Sequence, residues 1–448
     1  MSKPGIPTGT RDFSPEQVEK RNYIFDTIRR VFQKYGFRPI ETPAMEQLST
    51  LMGKYGEEGD KLLFKILHNG DKLKDAVGSL ADGNDANPAT LLSEKGLRYD
   101  LTVPFARYVV SHQNEIKFPF KRYQIQPVWR GDAPQRGRYR EFYQCDADVI
   151  GSNSLLYEAD LIRMYDEVFT QFGLKVVIKI NNRKILFGMA EAAGIPNKFM
   201  EMTTALDKLD KIGWDGVQAE LAERGIGGGA ISVIQKILQV DSLAGLKKYA
   251  GLSASLEKGI EELEKFHDYF DLQPAMNEVK FDITLARGLS YYTGCIMEVK
   301  AIDVPTMGSV GGGGRYDDLT GVFGLKNISG VGISFGADRI YDCLQSLSLF
   351  PKESTAGNVK VLFVSFDDVT HRYAYKCLLE MRKSGVAAEI YPEPARLQKQ
   401  MKYANDRKIP FVALIGGEEM ISEIMTLRNM ESGGQERVNL ETAIRKLK

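Results

Sequence analysis

The chain has no surplus of either charge: over 448 residues, 59 lysines and arginines face 59 aspartates and glutamates. A uniformly basic surface is thereby excluded, and any polyanionic partner must be met by local patches. Long apolar runs are missing too, so no segment is expected to span a bilayer. The opening MSKPGIPTGTRDF lacks the apolar stretch of a secretory signal, and a cytoplasmic location is expected. The four cysteines (Cys145, Cys295, Cys343, Cys377) show no C-x-x-C spacing and no histidine at ligand distance, which argues against a zinc site and against a disulfide framework. Four isolated histidines (His68, His112, His267, His371) argue against a histidine-driven serine or cysteine nucleophile. SVGGGGRYDDL is glycine-rich but is followed by no G-K-[ST], so a P-loop is not indicated either.

What is present is length enough for two or three domains. Ser14-Pro15-Glu16-Gln17 reads as a capped helix start, and apolar residues from Val18 to Tyr35 recur at helical spacing. FRPIETP follows as an extended segment. Residues 76–90 are small, polar and turn-rich and read as a surface loop. Residues 97–150 read as mostly extended, with KRYQIQPVWR and RYREFYQCDADVI forming a hairpin across an arginine-rich loop. A mostly helical block, about 195–272, reads as an insertion between two parts of one sheet. Residues 346–358 look like a linker, and beyond them strands and helices alternate as in a separate α/β domain with a mixed sheet.

Side-chain alternation locates a candidate site. In the second hairpin strand Arg140, Phe142, Gln144, Asp146 and Asp148 share one face, and in the first Arg122, Gln124, Gln126 and Arg130 share another. A solvated sheet face would explain such a pattern. Two aspartates in one strand, an aromatic ring among polar groups, and arginines on the side of Asp148 point instead to a ligand of both charges. ARGLSYYTG adds Arg287 with Tyr291 and Tyr292. In SVGGGGRYDDL the backbone is expected close to a ligand, with Tyr316 projecting from it. In GVGISFGADRI, Arg339 occupies the first turn of a helix, where a cation is unfavourable unless an anion sits with it. LRYDLTVPFARY places Asp100 and Thr102 two apart on one extended face.

Together these segments resemble class II aminoacyl-tRNA synthetases, and within them the histidyl-tRNA synthetases. The first helix with the segment ending at Pro43 resembles the dimer-interface motif, the hairpin the second class motif, and GISFGADRI the third. ARGLSYYTG and GGGGRYDDL resemble two peptides peculiar to the histidine enzymes. The resemblance covers essentially the whole chain and implies an α+β catalytic domain with an antiparallel sheet over 1–345, the helical insertion, and an anticodon-binding domain over 359–448. It implies ATP-dependent ligation of L-histidine to tRNA(His), with Mg²⁺ accompanying the phosphates, no protein metal motif, and a homodimer. Carried over residue by residue, Arg130, Arg287 and Arg339 would be catalytic. Arg130, Asp132, Arg138, Phe142 and Arg339 would bind ATP. Asp100, Leu101, Thr102, Gln144, Asp148, Tyr291, Tyr292 and Tyr316 would bind histidine, and Gln135 would face the tRNA acceptor end. Asp132, Asp100 and Asp148 stand where many members have glutamate, and Ser290 where the signature peptide usually has aspartate. The rival readings are a non-catalytic relative that senses histidine or tRNA, and a related synthetase for threonine or proline.

Overall fold

The structure is a computed structural model that describes residues 4–82, 88–286, 291–351 and 359–448. Two compact units are formed, one by residues up to Asp12 together with Arg21–Leu349, the other by Phe13–Lys20 and Phe350–Lys448.

The larger unit is built on eight strands: β1 (Arg38–Pro39), β2 (Phe120–Trp129), β3 (Glu141–Ile150), β4 (Val176–Asn182), β5 (Glu278–Phe281), β6 (Cys295–Ala301), β7 (Gly311–Tyr316) and β8 (Gly330–Gly336). Their spatial order is β1-β2-β3-β8-β7-β6-β4-β5. The five pairings from β2–β3 through β6–β4 are antiparallel, while the edge pairs β1–β2 and β4–β5 are parallel. One face of this sheet is apolar. Cys145, Ala147 and Val149 of β3 are all nearly inaccessible, and Phe335 of β8 packs between Phe32, Tyr165 and Phe169. The opposite face of β2 and β3 is the polar floor that alternation indicated, but it is buried: Arg122, Gln124, Asp146 and Asp148 are at most 2% exposed.

The helix start at Ser14 is as expected. The Ser14 amide donates to Gln17 Oε1 at 2.8 Å and the Gln17 amide to Ser14 Oγ at 3.4 Å, and the helix runs Pro15–Lys34. Two expectations fail. Residues 76–90 are not a loop, since helices Gly70–Ala81 and Pro88–Leu92 occupy most of them; Leu73, Ala76, Val77 and Leu80 have helical spacing that the polar composition masked. Nor is 97–150 mostly extended. A helix covers Thr102–Ser111, its Pro104 tolerated in the first turn and Val103, Phe105, Ala106 and Val109 all buried. Asp100 and Thr102 therefore do not share a strand face; Thr102 opens the helix and Asp100 precedes it.

A small sheet of Met45–Gln47, Lys95–Leu97 and Lys65–Ile66 stands beside the main one. Between β4 and β5 lie helices from Arg183–Ala192 to Ala254–Phe270. The smaller unit holds β9 (Val361–Ser365), β10 (Ala388–Ile390), β11 (Phe411–Ile415), β12 (Ile424–Asn429) and β13 (Gln435–Asn439) in the order β10-β9-β11-β12-β13. Its pairings are parallel on either side of β9 and antiparallel thereafter, a mixed sheet as the strand and helix alternation implied.

Candidate active site

Two adjoining cavities open on the polar face of the main sheet. The larger, about 510 Å³, is lined by Arg130, Asp132, Arg138, Phe142, Gln144 and Arg339 among others; the smaller, about 40 Å³, by Asp100, Thr102, Asp146, Asp148, Tyr291, Tyr292 and Tyr316, and again by Gln144. Gln144 thus borders both.

In the larger cavity the guanidinium of Arg130 lies 4.3 Å over the Tyr99 ring and 5.2 Å from that of Phe142, while its Nε donates to the Tyr99 carbonyl at 3.1 Å. Arg339 is anchored by backbone oxygens: its Nε donates to Gly137 and its Nη1 to Ser309, both at 2.8 Å. Those bonds fix the guanidinium before any anion is present, which removes part of the ordering cost of binding one. Arg138 is exposed and lies 3.6 Å from Asp132. Gln135 is exposed too, its backbone paired with that of Arg138 across a tight turn. Arg140, which alternation placed with the floor, is engaged elsewhere: it donates to the carbonyls of Asp132 and Thr8. The strand begins only at Glu141, so alternation does not dictate the direction of Arg140.

The smaller cavity is a ring of acids and phenols. Asp100 accepts from Tyr55 Oη at 3.0 Å, from Tyr291 Oη at 3.2 Å and from the Val103 amide at 3.1 Å. Tyr316 Oη donates to Asp148 Oδ1 at 2.6 Å, and Arg122 Nη2 lies 2.7 Å from Asp148 Oδ2. Gln144 Nε2 donates to Ser334 Oγ at 2.9 Å. Burial pushes the carboxyls of Asp100 and Asp148 above their ordinary values, opposed by the hydrogen bonds to Asp100 and by Arg122 beside Asp148. It likewise raises the phenols of Tyr55, Tyr291 and Tyr316, which remain donors. Several buried polar atoms have no hydrogen-bond partner among the described residues, including Gln144 Oε1, Asp146 Oδ1 and Arg122 Nε and Nη1. Such atoms are costly to bury unpaired and mark places where a polar ligand is accommodated.

Close backbone approach makes this pocket possible. A Cβ at Gly332 of β8 would come within 1.9 Å of Asp148 Oδ1, and one at Gly330 within 2.3 Å of the Tyr316 ring. The glycine-rich strand β7 supplies Tyr316 itself.

Of the residues singled out in the sequence, Asp100, Thr102, Gln144, Asp148, Tyr291, Tyr292 and Tyr316 come together in the smaller cavity, and Arg130, Asp132, Arg138, Phe142 and Arg339 in the larger. Leu101 is fully buried, and its carbonyl accepts from Arg122 Nη2 at 3.4 Å. Arg287 and Ser290 lie outside the described residues. Tyr55, Arg122, Asp146 and Ser334 were not among the candidate ligands. Alternation had already placed Arg122 and Asp146 on this face, whereas nothing in KYGEEGD marks Tyr55.

An antiparallel sheet with an arginine hairpin on one side and a helix-borne arginine on the other defines a class II aminoacyl-tRNA synthetase type of catalytic domain. A family model described as histidyl-tRNA synthetase matches residues 9–80 and 92–340, and one described as anticodon binding domain matches 358–448. The chain is 56% identical over 449 residues to a histidine–tRNA ligase of Bacteroides fragilis, covering 99% of this chain and 98% of the relative. It is 57% identical over 440 residues to that of Phocaeicola vulgatus, covering 97% and 96%. The crystal structure of histidyl-tRNA synthetase from Nostoc sp. PCC 7120 matches with a TM-score of 0.83 at 30% identity, covering 100% of both chains. The chain belongs to the histidyl-tRNA synthetase family. A structure described as an ATP phosphoribosyltransferase regulatory subunit/histidyl-tRNA synthetase from Bacillus halodurans C, at 19% identity and a TM-score of 0.70, shares the fold alone.

Proposed function

We infer that the chain is a histidine–tRNA ligase, which activates L-histidine with ATP to histidyl-adenylate and pyrophosphate and then transfers the histidyl group to the 3′ end of tRNA(His). The observation that carries this reading is the pair of cavities meeting at Gln144, one rich in arginine and the other in buried acids and phenols. Purified protein should charge tRNA(His) with labelled histidine, and a preparation that binds both but leaves the tRNA uncharged would refute it.

The nucleophile is the substrate's own carboxylate, attacking the α-phosphorus in line as pyrophosphate leaves. The protein need only position the reactants and neutralise charge. Arg130 and Arg339 hold the ATP phosphates, Arg138 reaches the outer ones with Asp132 beside it, and Phe142 stacks on adenine. Arg287 acts near the α-phosphate and the substrate carboxylate. Each such donor is worth about 3 kcal/mol in the transition state. Mg²⁺ belongs with the phosphates: Asp132 and Asp338, which border the cavity, already face Arg138 and the pair Arg11 and Arg21, so they do not fit a ready-made cage for the ion.

Neutral imidazole offers one N–H donor and one acceptor nitrogen. Asp100 and Asp148 accept, the hydroxyls of Tyr291, Tyr292 and Tyr316 donate, and Thr102, Gln144 and the segment through Leu101 complete the enclosure. A site built on buried hydrogen bonds rejects analogues lacking them by about 10⁴-fold, which makes a separate editing site unnecessary.

Gln135 faces the acceptor end, the helical insertion clamps the tRNA, and the domain over 359–448 takes the anticodon. Residues 371–410 carry nine lysines and arginines against four acids, a patch suited to phosphates. The active form is a homodimer in the cytoplasm. No helix among the described residues is long and apolar enough to cross a membrane.

A further inference from the structure

The floor of the small cavity carries a carboxyl group to which no role has so far been given. Asp146 lies between Gln144 and Asp148 on the same face of β3, in register with Gln124 of β2 and Ser334 of β8. It is 2% exposed, lines the small cavity, and has an oxygen, Oδ1, with no hydrogen-bond partner among the described residues.

Its surroundings are acidic. Arg122 faces it from β2, but that guanidinium is paired by distance with Asp148. Asp148 and Cys145 share its strand, and Asp100 comes from the segment before the helix Thr102–Ser111. Tyr165, from the helix Leu156–Phe172, and Tyr292 bring only neutral phenols, while Arg98 is held by the carbonyls of Thr42 and Pro127. Three carboxyls thus crowd one buried space, with Arg122 set against Asp146 and Asp148 and Arg130 against Asp100. Burial pushes the Asp146 carboxyl up to about 7, with Arg122 and a hydrogen bond from the Ser334 hydroxyl opposing and Asp148 and Asp100 adding to the rise.

We propose that Asp146 holds an exchangeable proton in the empty pocket and gives it up when the amino acid brings an ammonium or an imidazole N–H to the floor, so that histidine binding is linked to proton release. In this step the carboxylic O–H bond breaks, the proton passes to solvent, and the carboxylate becomes an acceptor for the incoming N–H. The empty site avoids an uncompensated buried charge, and the filled site carries the carboxylate only when an N–H donor is there to meet it. A neutral isostere of histidine would forgo that compensation. The inference rests on the small cavity being the histidine site.

Calorimetric titration of the full-length protein with L-histidine, in buffers of different ionisation heat, counts the protons exchanged. With a carboxyl titrating near 7, the wild type at pH 6.5 should release about 0.8 of a proton more than Asp146→Asn, and the difference should vanish by pH 9. Equal counts for the two proteins at every pH would overturn the proposal. Infrared difference spectra of the wild type alone give a check independent of the variant's folding. A protonated-carboxyl band lost on adding histidine at pH 6.5 supports the proposal, and an unchanged band overturns it. Absence of any binding heat with histidine would instead remove the functional reading on which the inference stands.

Discussion

Replacing Arg122 by methionine removes the guanidinium paired with the polar floor while keeping most of its volume. The side chain is fully inaccessible, lies 4.3 Å over the Phe105 ring, and sits 2.7 Å from Asp148 Oδ2. Because methionine fills nearly the same space, the loss is mainly electrostatic, and removing one partner of a buried ion pair costs about 3–5 kcal/mol. Its pH dependence has a definite sign. Arg122 holds down the carboxyls of Asp146 and Asp148, both already raised by burial, so both rise further in the variant. A carboxyl raised in the folded state contributes stability that is present below its unfolded value and lost as pH climbs through the folded one. The deficit of Arg122→Met should therefore be smallest near pH 5, where the acids escape by protonation, and largest near pH 8. Urea unfolding of the full chain, followed by the transition of the larger unit at pH 5, 6.5 and 8, measures this. Adding Asp148→Asn should recover much of the loss at pH 8. A cost below about 1 kcal/mol at pH 8, or one that does not vary with pH, would refute the reasoning.

Other consequences are equally open to measurement. Gly332→Ala puts a methyl group into the space of Asp148 Oδ1 and should raise KM for histidine by about 100-fold with KM for ATP little changed, since one displaced charged hydrogen bond is worth about 1.5–3 kcal/mol. Tyr316→Phe leaves Asp148 without its 2.6 Å donor and should lower kcat/KM for histidine by about 10- to 100-fold; steady-state adenylate formation reads this, and an unchanged value removes Tyr316 from the pocket's function. Arg339→Ala should cost about 10²- to 10³-fold in kcat for adenylate formation while thermal stability stays close to wild type. Binding of tRNA should weaken steeply with salt, with a smaller slope when Lys399 and Lys402 are both changed to Gln; a flat salt response would exclude the phosphate patch.

The site was legible in the sequence wherever backbone geometry alone orients side chains. Along β3 the period of two separates Gln144, Asp146 and Asp148 from Cys145, Ala147 and Val149, and the fold keeps that division because only the second set suits an apolar core. At Arg140 the strand has not yet begun, so alternation misassigned it. TVPFARYVVS was misread as extended because valine, threonine and tyrosine favour strands on local preference, whereas the buried face at Val103, Ala106 and Val109 decides for a helix. Tyr55 lies far in sequence from Asp100 and meets it only through the fold around the small sheet, so no local signal could reveal it. That the polar floor is buried, which raises its carboxyls above their ordinary values, likewise depends on elements remote in the chain.

Pyrophosphate exchange into ATP, measured with each of the twenty amino acids in turn, reports adenylate formation without tRNA and tests the central claim most directly. Exchange with histidine alone, abolished in Arg130→Ala, is the expected result. Exchange with threonine or proline, or none with any amino acid from a preparation that binds histidine, would contradict it.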